Sequence, residues 1–247
     1  ECQQLLSLFG LPFIVAPMEA EAQCAELNRL GLCDGVISDD NDSLLFGSTY
    51  VYRRLFSSKS LEKYSTTEIE KVSGLSRELL IDLALLLGSD YSDGVRGIGP
   101  IAALEIISVF REHGGLVAFR EFVERRRELP PCSLAVRKSM ENLRKKNLVF
   151  TEGWPSDHVR NAYRRPEVDS SIEPFQWLQP QYSRIVAFAQ IKFNYATTKT
   201  ERLLRPVLQR YLEGEQVGDD VALQGKPLPQ PRITTFFSGV SKPLLPR

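Results

Sequence analysis

Two short apolar runs, each followed directly by carboxylates and separated by one helical stretch, constrain this sequence more than any other feature. The first run, residues 11–16, leads into Glu19 and Glu21, and the second, residues 35–38, leads into a cluster of aspartates. Residues 18–30 between them repeat apolar side chains at helical spacing. Two strands joined by one helix should be parallel, with a right-handed crossover. The sequence therefore predicts a βαβ unit.

The acidic side chains fall where such a unit places its sites. The carboxyl ends of neighbouring parallel strands meet at one edge of a sheet, so Glu19 and Glu21 are predicted to approach Asp40 and Asp42. Crowded carboxylates repel one another and lose hydration, and a hard divalent cation would bring them together. Two simpler interpretations stay open: a charged first helical turn after the first run, and a solvated loop with a capping aspartate after the second.

A glycine-rich turn between two apolar helices is the second informative feature. The apolar stretch 79–87 ends at Gly88, and residues 88–100 contain four glycines before Pro100 opens an amphipathic helix. The amides of such a hairpin, together with the N-terminus of the following helix, can hold a phosphate oxygen without reading the base. The alternative is a tight turn between helices that simply needs positive φ angles.

Charge is unevenly distributed although the net charge is zero. Residues 1–50 carry eight acidic side chains against Arg29 alone, whereas residues 120–146 carry nine basic and four acidic ones. Such a chain can meet a polyanion through metal ions at one place and through Lys and Arg at another. For the basic segment, a solvated helix face with i,i+4 pairs is the alternative.

Cysteine, histidine and hydropathy exclude several classes of protein. Four cysteines without paired spacing favour reduced thiols over a disulfide framework or a zinc site. With only two histidines, the chain is a poor candidate for histidine-rich metal chemistry or a histidine-based triad. No apolar run approaches the ~18 residues of a membrane span, so we expect no membrane partner.

Four motifs in a fixed order resemble the internal catalytic region of the flap-endonuclease superfamily: residues 17–25, 38–47, 86–91 and 94–100. Residues 162–169, 175–177 and 182–208 favour the xeroderma pigmentosum group G (XPG) branch, including its fungal members. The resemblance covers nearly the whole chain. It implies an α/β fold: a parallel-sheet, PIN-like nuclease core, incomplete without an N-terminal region, followed by a helix-hairpin-helix and further helices.

The resemblance also implies a two-metal nuclease site with two Mg²⁺ ions. The predicted catalytic and metal-binding residues are Glu19, Glu21, Asp40, Asp42 and Asp90, with Asp39 outside the metal shell and Asn41 at a non-ligating position. In this family the hairpin grips duplex DNA with help from a monovalent cation, K⁺; its residues here are Gly94, Arg96, Gly97, Ile98 and Gly99. Basic side chains of a later helix are candidates for contacts with the DNA backbone: Arg137, Lys138, Arg144, Lys145 and Lys146.

We interpret the chain, which begins at Glu1 within a helical pattern, as a piece of a longer protein. The family's N-terminal region, with two further aspartates and basic gating residues, and the long insert of this branch are both missing from the sequence. We therefore expect the chain alone to cut DNA poorly or not at all. The predicted segments are 1–75 for the nuclease region, 76–130 for the helix-hairpin-helix region, 131–212 for a helical region and 213–247 for the tail.

Residues 213–247 are predicted to be disordered, because Gly, Gln and Asp and then spaced prolines replace the apolar pattern. Two adjacent phenylalanines in such a tail suggest a docking peptide. Their spacing resembles the motif that binds the sliding clamp PCNA, with Gln230, Ile233, Phe236 and Phe237 as the contact residues. The alternative is a strand or turn that packs back on the domain.

The resemblance implies a Mg²⁺-dependent DNA endonuclease of nuclear nucleotide excision repair. It would hydrolyse a phosphodiester at a single-strand/duplex junction, on the 3′ side of the damage, with repair-complex proteins as partners. Two alternatives stay open: a flap endonuclease or Holliday junction resolvase of the same superfamily, and a non-catalytic module that binds DNA and docks on the clamp. The five carboxylates argue against the second, because carboxylates hinder binding to a polyanion.

Overall fold

A computed structural model describes residues 1–56 and 60–216, with side chains described through residue 209. The chain forms two compact units: Glu1–Ile14 with the chain from Glu173 on, and Val15–Ile172. Its elements are α1 (Cys2–Leu8), α2 (Ala20–Arg29), β1 (Val36–Ile37), α3 (Asp42–Leu45), β2 (Tyr50–Arg53), β3 (Glu62–Ser65), α4 (Thr66–Ser73), α5 (Arg77–Leu87), α6 (Pro100–Phe110), α7 (Gly115–Val123), α8 (Leu134–Lys145), α9 (Asp157–Arg164), α10 (Tyr182–Phe193) and α11 (Thr197–Gln216).

The second unit contains a small mixed sheet in the order β1-β2-β3. Strand β1 pairs with β2 in parallel, with Val36 opposite Val51. Strand β2 pairs with β3 in antiparallel fashion, and the register places Val51 opposite Tyr64. Val51 is fully buried in the middle of the sheet. The apolar run at residues 35–38, predicted as a strand, forms β1 with shorter bounds.

The strand predicted over residues 11–16 does not form, so the predicted βαβ unit is wrong. The backbone there is irregular, and the apolar side chains are largely exposed, with Val15 at 68%. A strand exists only where a neighbour accepts its backbone hydrogen bonds. Among the described residues, β1 pairs with β2 alone. An apolar run without a ladder therefore stays irregular, whatever its strand propensity.

The helical part of the second unit holds the largest core. Helices α5 and α6 pair on either side of the glycine-rich turn, with Pro100 in the first turn of α6 as predicted. Helices α7 and α8 pack against α6 and against each other. The fully buried side chains of this core include Leu85, Phe110, Phe119, Phe122 and Met140. Burying five such side chains stabilises the unit because each contributes roughly 1.5–3 kcal/mol relative to exposure.

The first unit consists of α1, α10 and α11 around a separate small core. That core contains Leu8, Ile185, Phe188 and Leu204. The two helices seen here after residue 181 agree with the helical segment predicted over residues 182–208. In the part of the chain that the structure describes, no helix is long and apolar enough to cross a membrane.

Two further predictions concern the C-terminal end of the chain. Helix α11 continues to Gln216, so the predicted start of the disordered tail at residue 213 is wrong by four residues. Glu and Gln favour helix and extend it past the change in composition. The predicted clamp-binding residues, Gln230 to Phe237, lie outside the described residues. The division into four segments by motif stays a prediction.

Candidate active site

The first acidic pair sits at the start of α2. Glu19 is the N-cap residue with an extended backbone, and Glu21 lies in the first turn and is half-buried. Carboxylates are favourable at this end of a helix because of its dipole. Helix α2 is anchored through its buried residues Ala22, Gln23 and Ala25. The helix therefore holds both glutamates in place. The position of Glu19 and Glu21 also agrees with the simpler interpretation, in which they form a charged first turn of the helix.

The second acidic group lies between β1 and the short helix α3, which the sequence did not predict. The amide of Asp40 donates to the Ser38 hydroxyl at 3.1 Å, and the amide of Asp42 donates to Oδ1 of Asp40 at 2.9 Å. Asp42 is then the first residue of α3. One oxygen of Asp40 thus shapes the loop, in line with the alternative in which an aspartate supports the next helix.

Arg53 at the end of strand β2 and the following Arg54, which are not among the predicted site residues, fix this loop. The Arg53 guanidinium donates to Oδ1 of Asn41 at 2.8 Å and to the carbonyl of Asp39 at 2.7 Å. The amide of Arg54 donates to Oδ1 of Asp39 at 2.7 Å. Asp39 is therefore occupied in holding the loop to the sheet. Asn41, which the sequence predicts at a non-ligating position, contributes its side chain to the same clamp.

The fifth carboxylate follows α5 in a small hydrogen-bonded turn. Gly88 ends the helix at φ 102°. Ser89 and Ser92 then exchange two backbone hydrogen bonds of 2.7 and 3.1 Å. This closed turn presents Asp90, which is exposed, and Tyr91, which is half-buried. Burial and the neighbouring charge of Glu19 raise the pKa of Tyr91 to about 12.

Asp42 is the electrostatic centre of the group. Partial burial raises its pKa, the charges of Asp40, Asp90 and Glu21 raise it further, and a hydrogen bond from Tyr163 opposes the rise. Glu19 is linked to the same cluster through Tyr91, because the charges of Glu19, Asp42 and Asp90 all contribute to the raised pKa of the Tyr91 hydroxyl. Three separate segments of sequence therefore bring their carboxylates within electrostatic reach of one another.

The carboxylates lie near one another but are not arranged as a complete set of metal ligands. Within residues 1–56 and 60–216, no three His, Cys, Asp or Glu side chains converge closely enough to hold a metal ion as they stand. Repulsion between like charges keeps uncompensated carboxylates apart. The donor set itself, oxygen from five carboxylates without histidine or thiolate, has the chemistry of a site for a hard cation such as Mg²⁺. The residues therefore fit the predicted metal by type.

Tyr163 in α9, which is not among the predicted site residues, also reaches the acidic group. It is fully buried, and its ring packs on Phe46 and Tyr91 with centroids 5.1 Å away in each case. Its hydroxyl also donates to Oδ2 of Asp42 at 2.8 Å. No local signal could reveal this contact, because the two residues are 121 positions apart.

The glycine-rich hairpin divides the predicted DNA-binding residues into two groups. The side chain of Ile98 is buried in the core with that of Val95, and the Val95 amide donates to the Leu86 carbonyl at 2.9 Å. Gly94 lies so close to α5 that an added Cβ would come within 2.4 Å of the Gly88 nitrogen. Arg96, Gly97 and Gly99 remain on the surface. The hairpin is therefore anchored to the core through Gly94, Val95 and Ile98, whereas its other predicted DNA-binding residues are exposed.

The predicted basic helix, α8, shows a similar division. Arg137, Lys138, Lys145 and Lys146 are exposed. The side chain of Arg144 is 19% exposed; its guanidinium lies 4.9 Å from the centroid of the Phe122 ring. The arginines just before this helix pair with glutamates, as in the contacts Arg120–Glu124 and Arg127–Glu121. Four basic side chains of α8 thus remain available to a polyanion.

Comparison with known proteins gives a consistent result. The XPG I-region family matches residues 10–90. The DNA repair protein RAD2 of Saccharomyces cerevisiae is 39% identical over 242 residues, which are 96% of this chain and 22% of that protein. A DNA excision repair protein ERCC-5 homolog of Xenopus laevis is 39% identical over 245 residues, 96% of this chain and 19% of that protein. This chain thus spans about a fifth of the length of these relatives.

A solved structure agrees in fold. The catalytic core of Rad2 superposes with a TM-score of 0.73 at 40% identity, covering 83% of this chain and 71% of that one. This likeness confirms the predicted α/β nuclease-core fold with its further helices.

Proposed function

The chain belongs to the XPG family, and from that premise we propose that it supplies most of the catalytic centre of a structure-specific 5′ nuclease. The proposed reaction is Mg²⁺-dependent phosphodiester hydrolysis at a junction of single-stranded and duplex DNA. The proposed process is nucleotide excision repair in the nucleus, with incision on the 3′ side of the lesion. The names of the two relatives, a DNA repair protein and a DNA excision repair protein, support this process.

The observation that carries the proposal is the shared field of the five carboxylates. The ends of β1 and α5 and the start of α2 bring Asp40, Asp42, Asp90, Glu19 and Glu21 within electrostatic reach of one another. Burial raises the pKa of Asp42, and the charges of Asp40, Asp90 and Glu21 raise it further. An unpaired cluster of this kind destabilises a protein unless a cation or a reaction requires it. A module that only bound DNA would gain nothing from it.

Each residue of the cluster has a definable contribution. Glu19 and Glu21 would help to hold one Mg²⁺, and Asp40, Asp42 and Asp90 would hold or orient a second. Bound Mg²⁺ would supply an activated water and charge neutralisation at the scissile phosphate. The chain's own part is to orient these carboxylates: α2 fixes the glutamates, the Arg53 clamp fixes the loop of Asp40, and the Ser89–Ser92 turn presents Asp90.

The hairpin and α8 would hold the DNA. Gly97 and Gly99 leave the backbone open to close approach, and Arg96 adds a positive charge beside it. Such contacts to phosphates fix position and orientation without reading sequence, as an enzyme that recognises junction shape requires. We propose K⁺ at this hairpin from the family resemblance, with Arg137, Lys138, Lys145 and Lys146 along the duplex backbone. The half-buried Arg144 would act chiefly by packing on Phe122.

Clamp binding rests on the sequence alone. The spacing of Gln230, Ile233, Phe236 and Phe237 supports a PCNA-binding peptide. We propose it, and the association with other repair proteins, as properties of the whole protein. A peptide of residues 227–240 titrated into PCNA, beside the same peptide with Phe236→Ala and Phe237→Ala, tests the first of these. Equal affinity of the two peptides would rule out the motif.

Cleavage assays test the proposed activity. Labelled 5′-flap, bubble and four-way-junction substrates are incubated with Mg²⁺ and with this chain, alone or joined to the N-terminal region of the Rad2 catalytic core. We expect cleavage at the single-strand/duplex boundary only with that region present, and loss of cleavage in Asp40→Ala. Asp34→Ala, which removes an exposed aspartate outside the cluster, is the matched control.

The substrates also separate the alternatives. Preference for the bubble supports the excision-repair function, whereas preference for the flap or the four-way junction would assign the chain to a flap endonuclease or a junction resolvase. Binding without cleavage in every combination would favour the non-catalytic module. Normal flap cleavage by the chain alone would contradict the expectation that it depends on further sequence.

A further inference from the structure

We propose that Tyr163 is a positioning residue for the Asp42 carboxylate, an inference that rests on the proposed metal site. Tyr163 belongs to α9, far in sequence from all five carboxylates. It is fully buried, and its hydroxyl donates to Oδ2 of Asp42, one of the candidate ligands, at 2.8 Å. A buried tyrosine hydroxyl needs a hydrogen-bond partner, and here that partner is a carboxylate of the site.

Tyr163 contacts two of the acidic segments. Its hydroxyl donates to Oδ2 of Asp42, and its ring packs edge-on against Tyr91, the residue directly after Asp90. Tyr91 lies in the turn that is closed by the two backbone hydrogen bonds between Ser89 and Ser92. A single buried side chain therefore joins the segment that carries Asp42 to the segment that carries Asp90.

The ring and backbone of Tyr163 leave the hydroxyl little freedom. Its ring packs on Phe46 and Tyr91. The Arg77 guanidinium donates to the carbonyl of Tyr163 and to the carbonyl of Leu45, each at 2.7 Å. Since Leu45 ends α3, which Asp42 begins, the same arginine holds both partners of the hydrogen bond.

Helix α9 and the chain after it are fastened to all three elements that position the carboxylates. Arg160 pairs with Asp82 of α5 at 2.7 Å. The side chain of Gln23 in α2, only 3% exposed, exchanges two hydrogen bonds of 2.7 Å with the backbone of Asp169. The attachment to α3 is Tyr163 itself. Residues 159–170 thus brace the candidate site from behind.

Bracing matters because a carboxylate ligand has two oxygens and a rotatable bond. With Oδ2 of Asp42 held by Tyr163, the side chain is fixed before any cation arrives. Hydrogen-bond partners of metal ligands have large effects, and their loss typically lowers metal affinity or activity about 10–100-fold. Tyr163 is accordingly more than a core residue, although it touches neither substrate nor metal.

Replacing Tyr163 by Phe tests the inference, because it removes the hydroxyl and keeps the packed ring. The matched control is Tyr64→Phe: the Tyr64 hydroxyl also donates to a carboxylate, Oε2 of Glu62, at 3.0 Å, but on strand β3 away from the cluster. Binding of Mn²⁺ is measured by electron paramagnetic resonance on the protein joined to the Rad2 N-terminal region. The melting temperature is recorded beside it.

We expect Tyr163→Phe to weaken Mn²⁺ binding about tenfold and Tyr64→Phe to leave it unchanged. In an Asp42→Asn background, Tyr163→Phe should have no further effect on Mn²⁺ binding, which a purely structural contribution would not explain. Unaltered Mn²⁺ affinity in Tyr163→Phe, while the unsubstituted protein binds Mn²⁺, would overturn this inference alone. Absence of Mn²⁺ binding and of cleavage in the unsubstituted protein would overturn the proposed function as well.

Discussion

Single residues carry the conflict between stability and function in this protein. Asp42 is half-buried among other carboxylates, and both burial and repulsion raise its pKa. A carboxylate with a raised pKa favours the fold in its neutral form, so its contribution to stability is present at low pH and lost as it ionises. At neutral pH the charged Asp42 is a cost, which a bound cation would offset.

Asp42→Asn should therefore stabilise the cation-free chain. The amide keeps the shape and can still accept the hydrogen bond from Tyr163, while the charge is gone. We expect the free energy of unfolding at pH 7 in EDTA to rise by about 1 kcal/mol. Urea denaturation measures it, with the exposed Asp34→Asn as the control. A less stable Asp42→Asn would contradict the view that this charge is strained.

Glu26, two turns after Glu19 in α2, shows the opposite behaviour. It accepts two hydrogen bonds of 2.7 Å from Arg29 and one of 2.6 Å from Ser170. The hydrogen bonds from Arg29, followed by that from Ser170, lower its pKa from an ordinary 4.5 to about 2, although burial acts against them. Its contribution to stability is thus complete above pH 4.5 and lost as the pH falls towards 2.

Glu26→Gln should accordingly cost about 1 kcal/mol at pH 7, and the difference from the unsubstituted chain should shrink below pH 4.5. Urea unfolding at pH 7, 5, 4 and 3 provides the comparison. Glu70→Gln, an exposed position on α4, should show no such pH-dependent difference. A gap that stayed constant down to pH 3 would mean that the ionised form of Glu26 is not what the fold uses.

At the scale of elements, the hairpin between α5 and α6 separates folding from binding. Gly94, at φ 70°, is needed for the fold because α5 leaves no room for a Cβ. Gly99 has an ordinary φ of −105°, and an added Cβ there would meet nothing within 4 Å. A glycine that the fold does not need is most simply explained by what approaches it from outside, here a phosphate backbone.

Gly94→Ala and Gly99→Ala should therefore fail in different ways. We expect Gly94→Ala to lose more than about 2 kcal/mol of stability, since a steric clash adds to the left-handed backbone. Gly99→Ala should melt within a few degrees of the unsubstituted chain but bind flap DNA severalfold more weakly by fluorescence anisotropy. Gly31→Ala, at φ 73° with open space around it, isolates the cost of the backbone alone. Unchanged DNA affinity in Gly99→Ala would exclude a contact with DNA at that residue.

At the scale of the whole molecule, the net charge of zero is the sum of an acidic region and a basic region. Both belong to the second unit, where the acidic cluster and the exposed basic residues of α8 are found. Because phosphate contacts release counterions, binding to DNA should depend on salt in proportion to the number of such contacts. Neutrality overall does not weaken this expectation, since the contacts are local.

Lys145→Gln should lower the slope of log affinity against log salt concentration by about 0.9, the value for one phosphate contact. Lys71→Gln, on the exposed surface of α4, should leave the slope unchanged. Anisotropy titrations with duplex DNA at several salt concentrations measure both. Equal slopes for the two variants would exclude Lys145 from the DNA interface.

Much of the local structure followed from the sequence. Helices α2, α5, α6 and α8 were predicted within a few residues, because their apolar spacing and their glycine, proline and serine boundaries act over one or two turns. The short helices α3 and α9 and the irregular run at 11–16 were missed. Their conformations depend on neighbours that lie elsewhere in the chain, so no local pattern announces them.

The sequence by itself determined the chemistry of the candidate site: which carboxylates stand after which elements, and which glycines and lysines accompany them. Only the tertiary structure decided how they are held. It pairs Asp42 with Tyr163 and Asn41 with Arg53, and it buries Arg144 over Phe122. Spacing along the chain carries residue type and periodicity, whereas these contacts arise from packing between distant segments, whose geometry no short stretch of sequence encodes.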